Sequence, residues 1–313
     1  MRKLTLFAAI FCAFHFASAR TVWIDTDVSI GSPIREVDDA YALALAFHSP
    51  EIRIAGLSTT FGNAPLGHTT RAAQNLVRHF GGDAGLALSD VYPGARAAAD
   101  IGHRSAASDA LAPVLAKRKV TYIALGPLTN LASFLRLHPE QAHRIERVIF
   151  VGGQIPGTTL AFGPKRSFHI HDANVFKDPA AVEAVVRSNI PLTLVPIATA
   201  SNLQVDEMDL RRLEQSSGAA SYLTRHSRIW FWFWRNVVKI KGGPIFDAAA
   251  IIPATKPELL SIEKRYAKMD EAGNLLVMPS LTNGARPVRF CTSFGPETKD
   301  FVMRRLMTRR SRE

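Results

Sequence analysis

The sequence predicts an α/β protein with one open, mostly parallel sheet covered by helices on both faces. Three observations carry this. From Arg20 onward, short apolar runs of strand length alternate with amphipathic stretches of helix length. No linker, internal repeat or shift in composition divides the chain, so a single domain accounts for it. The 313 residues are 47% hydrophobic and 21% charged, proportions that supply one sizeable core and exclude disordered, collagenous and coiled-coil classes.

Taken in order, Thr21-Val22-Trp23-Ile24 reads as a buried strand, Val37 to His48 as a helix, and Ile52 to Leu57 as a second strand. Leu66 to Phe80 is a helix, Val120 to Ala124 a strand, Leu128 to Leu137 a helix and Val148 to Val151 a strand. Asp178 caps a helix that Pro179 opens and that runs to Arg187, and Leu192 to Val195 is the next strand. In a sheet of this kind ligands bind beyond the carboxyl ends of the strands.

The net charge of +11 raises nucleic acid or a membrane surface as a partner, but much of it sits at the ends. Arg2 and Lys3 precede an apolar run from Leu4 to Phe16 and then Ala17-Ser18-Ala19, the pattern of a signal peptide over residues 1–19. Export to the periplasm or out of the cell is expected, with no membrane association once the leader is gone. Cys12 leaves with it and Cys291 alone remains, so no internal disulfide forms. The tail from about residue 303 to 313 carries Arg304, Arg305, Arg309, Arg310 and Arg312 with no interleaved aromatics, which does not fit a platform for stacking bases. No nucleic-acid partner is expected.

The minority charge is more telling. The first strand runs into Asp25-Thr26-Asp27, and ten residues later Asp38-Asp39 open the next helix, so four carboxylates are expected at one sheet edge. Helix capping explains one or two of them. An Asp-x-Asp nucleophile of the phosphatase kind lacks its matching lysine and acids downstream. A hard cation with oxygen ligands accounts for all four.

Asp25-Thr26-Asp27 with Asp38-Asp39-Ala40 resembles the N-terminal signature of the nucleoside hydrolases, the inosine/uridine-preferring family. Further segments follow in the family's order: Thr59 to Asn63, Leu125 to Asn130, Ile149 to Gly153, Asp172-Ala173-Asn174 with Asp178-Pro179, and Gly243 to Ala248. The resemblance covers most of residues 20–313. It implies a Rossmann-like domain that binds one Ca²⁺ and hydrolyses the N-glycosidic bond of small-molecule ribonucleosides to base and ribose, generally as a homo-oligomer. Asp27 is then both a Ca²⁺ ligand and the base that deprotonates a Ca²⁺-bound water. Asp39, Asp247 and the backbone carbonyl of Leu125 complete the metal set. Asp38, Asn63, Asp172 and Asn174 grip the sugar hydroxyls, and such contacts can strengthen as the ring approaches an oxocarbenium ion.

Three departures from the family pattern bear on the substrate. The loop between Asp27 and Asp38 is long and sets Pro33, Arg35 and Glu36 over the metal site. Asp172 stands where the family has Glu, and Arg166 falls near a ribose-binding Asn, so a cation there could hold a phosphate or carboxylate. Phe246 replaces the His that protonates the departing base, leaving His103, His169 and His171 as candidates. Phe246, Trp230, Trp234 and His103 are the candidate base contacts, although at most two or three residues of the run Trp230 to Trp234 can share one helix surface. The segment from Pro93 to Ala110 is also short, which reduces the lid over the base. Two rival readings remain: a non-catalytic nucleoside- or ribose-binding protein of the same fold, and a hydrolase of another ribosyl compound.

Overall fold

The computed structural model of the chain describes residues 19–31 and 35–308. Residues 1–18 of the expected leader, Pro33 and residues 309–313 of the basic tail lie outside them. Strand β1 (Arg20–Thr26) leads to α1 (Asp38–Phe47), β2 (Ile52–Thr59), α2 (Leu66–Phe80) and the short β3 (Val91–Pro93). The alternation continues through α3 (Ala106–Lys117), β4 (Val120–Ala124), α4 (Thr129–Leu137) and β5 (Ile145–Val151). A ribbon of β6 (Ala161–Phe162) and β7 (Phe168–His169) precedes α5 (Ala173–Lys177), α6 (Pro179–Arg187), β8 (Leu192–Val195) and α7 (Ile197–Ala200). The two-residue strands β9 (Gln204–Val205) and β10 (Gly243–Pro244) pair around α8 (Glu207–Gln215) and α9 (Ala219–Asn236). Then come α10 (Ala248–Thr255), β11 (Leu260–Met269), β12 (Leu275–Met278), β13 (Arg286–Phe294) and α11 (Thr298–Met307).

The main sheet has nine strands in the order β12-β11-β13-β8-β5-β4-β1-β2-β3. Neighbours from β13 to β3 are parallel, and β11 runs antiparallel to both β13 and β12. The fold class is therefore the one predicted, with an antiparallel extension at one edge that the βα alternation does not reveal. Side chains alternate across the sheet: Val22 and Ile24 of β1 enter the core on the α1 and α10 side, and Trp23 enters the core on the side of α3, α4 and α6. Every residue of α1 is buried, and the helix packs against α10. Asp38 and Asp39 therefore start a helix inside the protein. Val37 is its N-cap and no side chain caps it, so capping does not explain either acid.

Among the described residues no helix is long and apolar enough to cross a membrane. The described part of the tail belongs to α11, which buries Met303 and Leu306 in the core, while Arg305 pairs with Glu51 at 2.5 Å and lies over the Phe301 ring.

Candidate active site

The carboxyl ends of β1, β2, β4 and β5 deliver Asp27, Asn63, Leu125 and the Gly152-Gly153 turn to one edge of the sheet. Asp25 does not join Asp27 there. It shares the strand face of Trp23, where Ser58 Oγ and Asn130 Nδ2 donate to its Oδ1 at 2.5 and 2.8 Å, and Trp23 Nε1 donates to Ser58 at 2.9 Å. The expected group of four acids thus loses Asp25 to a network that ties β1, β2 and α4 together.

Burial pushes the Asp25 carboxyl up from 3.8 to about 6. A folded pKa above the unfolded one means that the folded state keeps a proton the unfolded state has lost. Stability is therefore lost as pH rises through the window from about 4 to about 6. Asp25→Asn cannot ionise, and its stability relative to the wild type is expected to increase across that window by up to about 3 kcal/mol. Urea unfolding midpoints at about pH 4 and about pH 7.5 check this. A difference that does not change with pH contradicts it.

Asp27 sits where β1 has ended. Its Oδ2 accepts from the Asn63 backbone N–H at 2.8 Å and faces Lys177 Nζ at 3.3 Å. The loop after β2 reaches it only because residue 62 is glycine: a Cβ there, at φ +153°, would stand 1.9 Å from Asp27 Oδ2. Asn63 is the hub of this corner. Its Nδ2 donates to Asp39 Oδ2 at 3.2 Å, its Oδ1 accepts from Lys177 Nζ at 2.8 Å, and its carbonyl accepts from Arg35. Thr26 Oγ1 donates to the other oxygen of Asp39.

Asp38, Asp39 and Asp247, the last at the start of α10, each offer a carboxylate oxygen within 4.8 Å of the other two. The structure therefore groups Asp38, expected on the sugar, with Asp39 and Asp247. Asp27 falls outside this group of three, holds Asn63 and Lys177 through Oδ2, and is the neighbouring charge that acts most strongly on Asp39. Burial comes first and repulsion from neighbouring acids second, led by Glu36 on Asp38, Asp27 on Asp39 and Asp38 on Asp247, in holding these three carboxyls well above the usual range. Burial also raises Glu36, which Lys177 partly offsets.

Asp27 Oδ1 and Asp38 Oδ1 are buried and accept no hydrogen bond. Each such orphan costs about 1–3 kcal/mol, and a concentration of oxygen ligands is what a hard divalent cation selects. The residues present fit that ion. The Leu125 carbonyl lies in the same corner and accepts from Asn174 Nδ2 at 2.6 Å.

A cavity of about 390 Å³ opens here. Its polar lining is Glu36, Asp38, Asn63, His171, Asn174, Lys177 and Asp247, and its apolar lining includes Phe168, Ile170, Phe176, Ile197 and Phe246. Three of the five aromatics in the α9 run, Trp230, Phe233 and Trp234, line it as well. Their i, i+3, i+4 spacing sets them on one face. Phe231 turns away against Tyr41, ring centroids 5.9 Å apart, and Trp232 is exposed.

Two expected contacts lie elsewhere. His103 is exposed, 3.7 Å from Asp100, in a separate crevice with Arg96 and Arg104. Arg166 is exposed at the β6–β7 ribbon, where its guanidinium donates to the Thr159 carbonyl at 2.6 Å and does not line the cavity. Asp172 is a helix cap: its carboxylate accepts from Gly153 N at 2.7 Å and Val175 N at 3.4 Å, and burial pushes it up to about 6. His171 lines the cavity and stacks on Phe176 at 5.6 Å; His169, two residues earlier at the end of β7, does not line it.

Lys177 was not legible as a site residue, since a lysine before Asp178-Pro179 reads as surface. The available signal is its spacing, three residues after Asn174 on the same helical turn.

The sequence profile of the inosine-uridine preferring nucleoside hydrolases matches residues 22–298. Relatives include the probable uridine nucleosidase 2 of Arabidopsis thaliana, 26% identical over 284 residues, with 81% of this chain and 83% of that protein covered. The pyrimidine-specific ribonucleoside hydrolase RihA of Citrobacter koseri is 26% identical over 261 residues, covering 75% of this chain and 81% of the other. Among solved structures, a plant nucleoside hydrolase, the PpNRh1 enzyme, superposes with a TM-score of 0.76 at 23% identity over 93% of this chain and 98% of that one. A purine-preferring ribonucleoside hydrolase from Gardnerella vaginalis gives 0.75 at 19% identity over 92% and 98%. These superpositions show a shared fold, and the match over residues 22–298 shows that this chain belongs to the inosine-uridine preferring nucleoside hydrolase family.

Proposed function

We propose that this chain is an exported enzyme that hydrolyses the N-glycosidic bond of ribonucleosides with Ca²⁺ as its metal. Family membership supports N-glycosidic hydrolysis of nucleosides by a metal-dependent enzyme. The observation that carries the finer reading is the pairing of orphaned carboxylate oxygens, on Asp27 and Asp38, with an aromatic cavity of nucleoside size. Asp39, Asp38 and Asp247 would hold the ion, with Asp27 and the Leu125 carbonyl beside them. When bound, a divalent cation lowers the pKa of water and offsets the crowded acids.

The protein's own groups divide the remaining work. Asp27 Oδ2 is fixed by the Asn63 N–H and Lys177, which leaves Oδ1 free to take the proton of the attacking water. Water oxygen bonds to the anomeric carbon as the C–N bond breaks and its electron pair leaves with the base. The buried carboxylates stabilise the positive charge that develops on the sugar, and Asn63, Asn174 and Asp38 offer hydrogen-bonding groups to its hydroxyls. Trp230, Trp234 and Phe246 line the cavity as aromatic contacts for the base.

Of the three candidate histidines His171 lines the cavity, which supports it as the group that protonates the departing base. His171→Gln is expected to slow hydrolysis of natural nucleosides by about 10²-fold and to leave p-nitrophenyl riboside, whose leaving group departs without a proton, nearly unaffected. Equal losses on both substrates would remove the assignment. The reading as a whole is tested by comparing ribonucleosides with their 2′-deoxy counterparts. Selective turnover of the ribo forms is expected, and tight binding without base release would favour a binding protein instead.

Export rests on the leader pattern, and β1 begins at Arg20, directly after the expected cut. Mass spectrometry of protein recovered outside the cytoplasm should give a chain beginning at Arg20.

A further inference from the structure

The mechanism above uses Lys177 only to fix Asp27 Oδ2, and leaves open what its charge does in the acidic corner. Lys177 Nζ lies 3.3 Å from Asp27 Oδ2 and 2.8 Å from Asn63 Oδ1, with the lysine side chain 21% exposed and the aspartate 1%. Among the described residues it is the one cation ion-paired with the acidic cluster. Arg35 also reaches Asn63, but through the carbonyl.

We propose that Lys177 is a built-in counter-cation that competes with the divalent metal for the charge of this cluster and so sets how tightly the chain holds its ion. The inference rests on the metal reading given above. Five acids, Asp27, Glu36, Asp38, Asp39 and Asp247, converge here, and the ammonium is drawn in chiefly by Asp27 and Glu36, against the cost of its burial. An ammonium and a divalent ion both stabilise such a cluster, and each lowers the other's gain through mutual repulsion at short range. The coupling is reciprocal: what the lysine contributes to the metal-free protein, the metal must overcome.

The fold gives the lysine room to yield. Its backbone is fixed on α5, the helix whose Asn174 donates to the Leu125 and Val151 carbonyls, while its flexible four-carbon stem lines the open cavity. The ammonium can leave Asp27 for that cavity without any movement of the helix.

The test is calorimetric titration of chelator-stripped protein with CaCl₂, comparing wild type, Lys177→Met and Lys177→Arg. Lys177→Met should bind Ca²⁺ at least about tenfold more tightly, and Lys177→Arg should stay within about threefold of wild type. Equal or weaker binding by Lys177→Met overturns the proposal and leaves the metal reading standing, as does an arginine variant that binds as tightly as the methionine one. No Ca²⁺ binding by either wild type or Lys177→Met overturns both. Thermal melts add a second readout. In chelator Lys177→Met should melt below wild type, having lost the counter-charge, and in saturating CaCl₂ the gap should close. A gap that Ca²⁺ leaves unchanged also overturns the proposal.

Discussion

Asp27→Ala is expected to lower turnover on ribonucleosides by more than about 10³-fold while the protein stays folded. The size follows from what the side chain does alone. Its Oδ1 is buried with no donor, so no other acceptor stands ready in that position, and Asn63 is still held by Asp39. The loss should fall on kcat, because the sugar-facing amides and the aromatic wall remain. Circular dichroism and a thermal melt establish that the fold is kept. A variant with a near-normal rate would remove Asp27 from the role of base.

Stripping the divalent ion has the second large effect. Chelator should reduce base release by at least about 10²-fold, and Ca²⁺ should restore it. Stability should fall in the same experiment, since Asp38, Asp39 and Asp247 then face one another buried at close range. At a hundredfold excess of Ca²⁺ over its dissociation constant the expected stabilisation is about 2.7 kcal/mol. The melting temperature should therefore rise with Ca²⁺ concentration. A melt and a rate both indifferent to chelator would contradict the metal reading.

The parallel part of the sheet was legible because its strands, buried on both faces, are nearly continuous apolar runs. Leu66–Phe80, Val120–Ala124 and Leu192–Val195 fall at the predicted bounds. The antiparallel edge was not, because β11, LSIEKRYAKM, is half exposed and mixes charges into a weak alternation. Asp247 was legible as an acid in apolar surroundings. Glu36, expected over the site from the long loop, lines the cavity with Asp38 and Asp247, at a distance that the loop's local pattern did not give. His103, His169 and His171 look alike in sequence, and only tertiary placement separates an exposed partner of Asp100 from a residue on the cavity wall. Asp25 and Asp27 are two residues apart and appear equivalent, but the strand ends between them and sends them to different networks.

Cleavage of nucleosides at this acidic corner can be measured by incubating the Ca²⁺-loaded protein with a panel of purine and pyrimidine ribonucleosides and separating the products by chromatography, with the Asp27→Ala variant alongside. Free base and ribose are expected in equal amounts from at least one nucleoside, with none above background from the variant. Tight nucleoside binding with no base released from any member of the panel would contradict such cleavage.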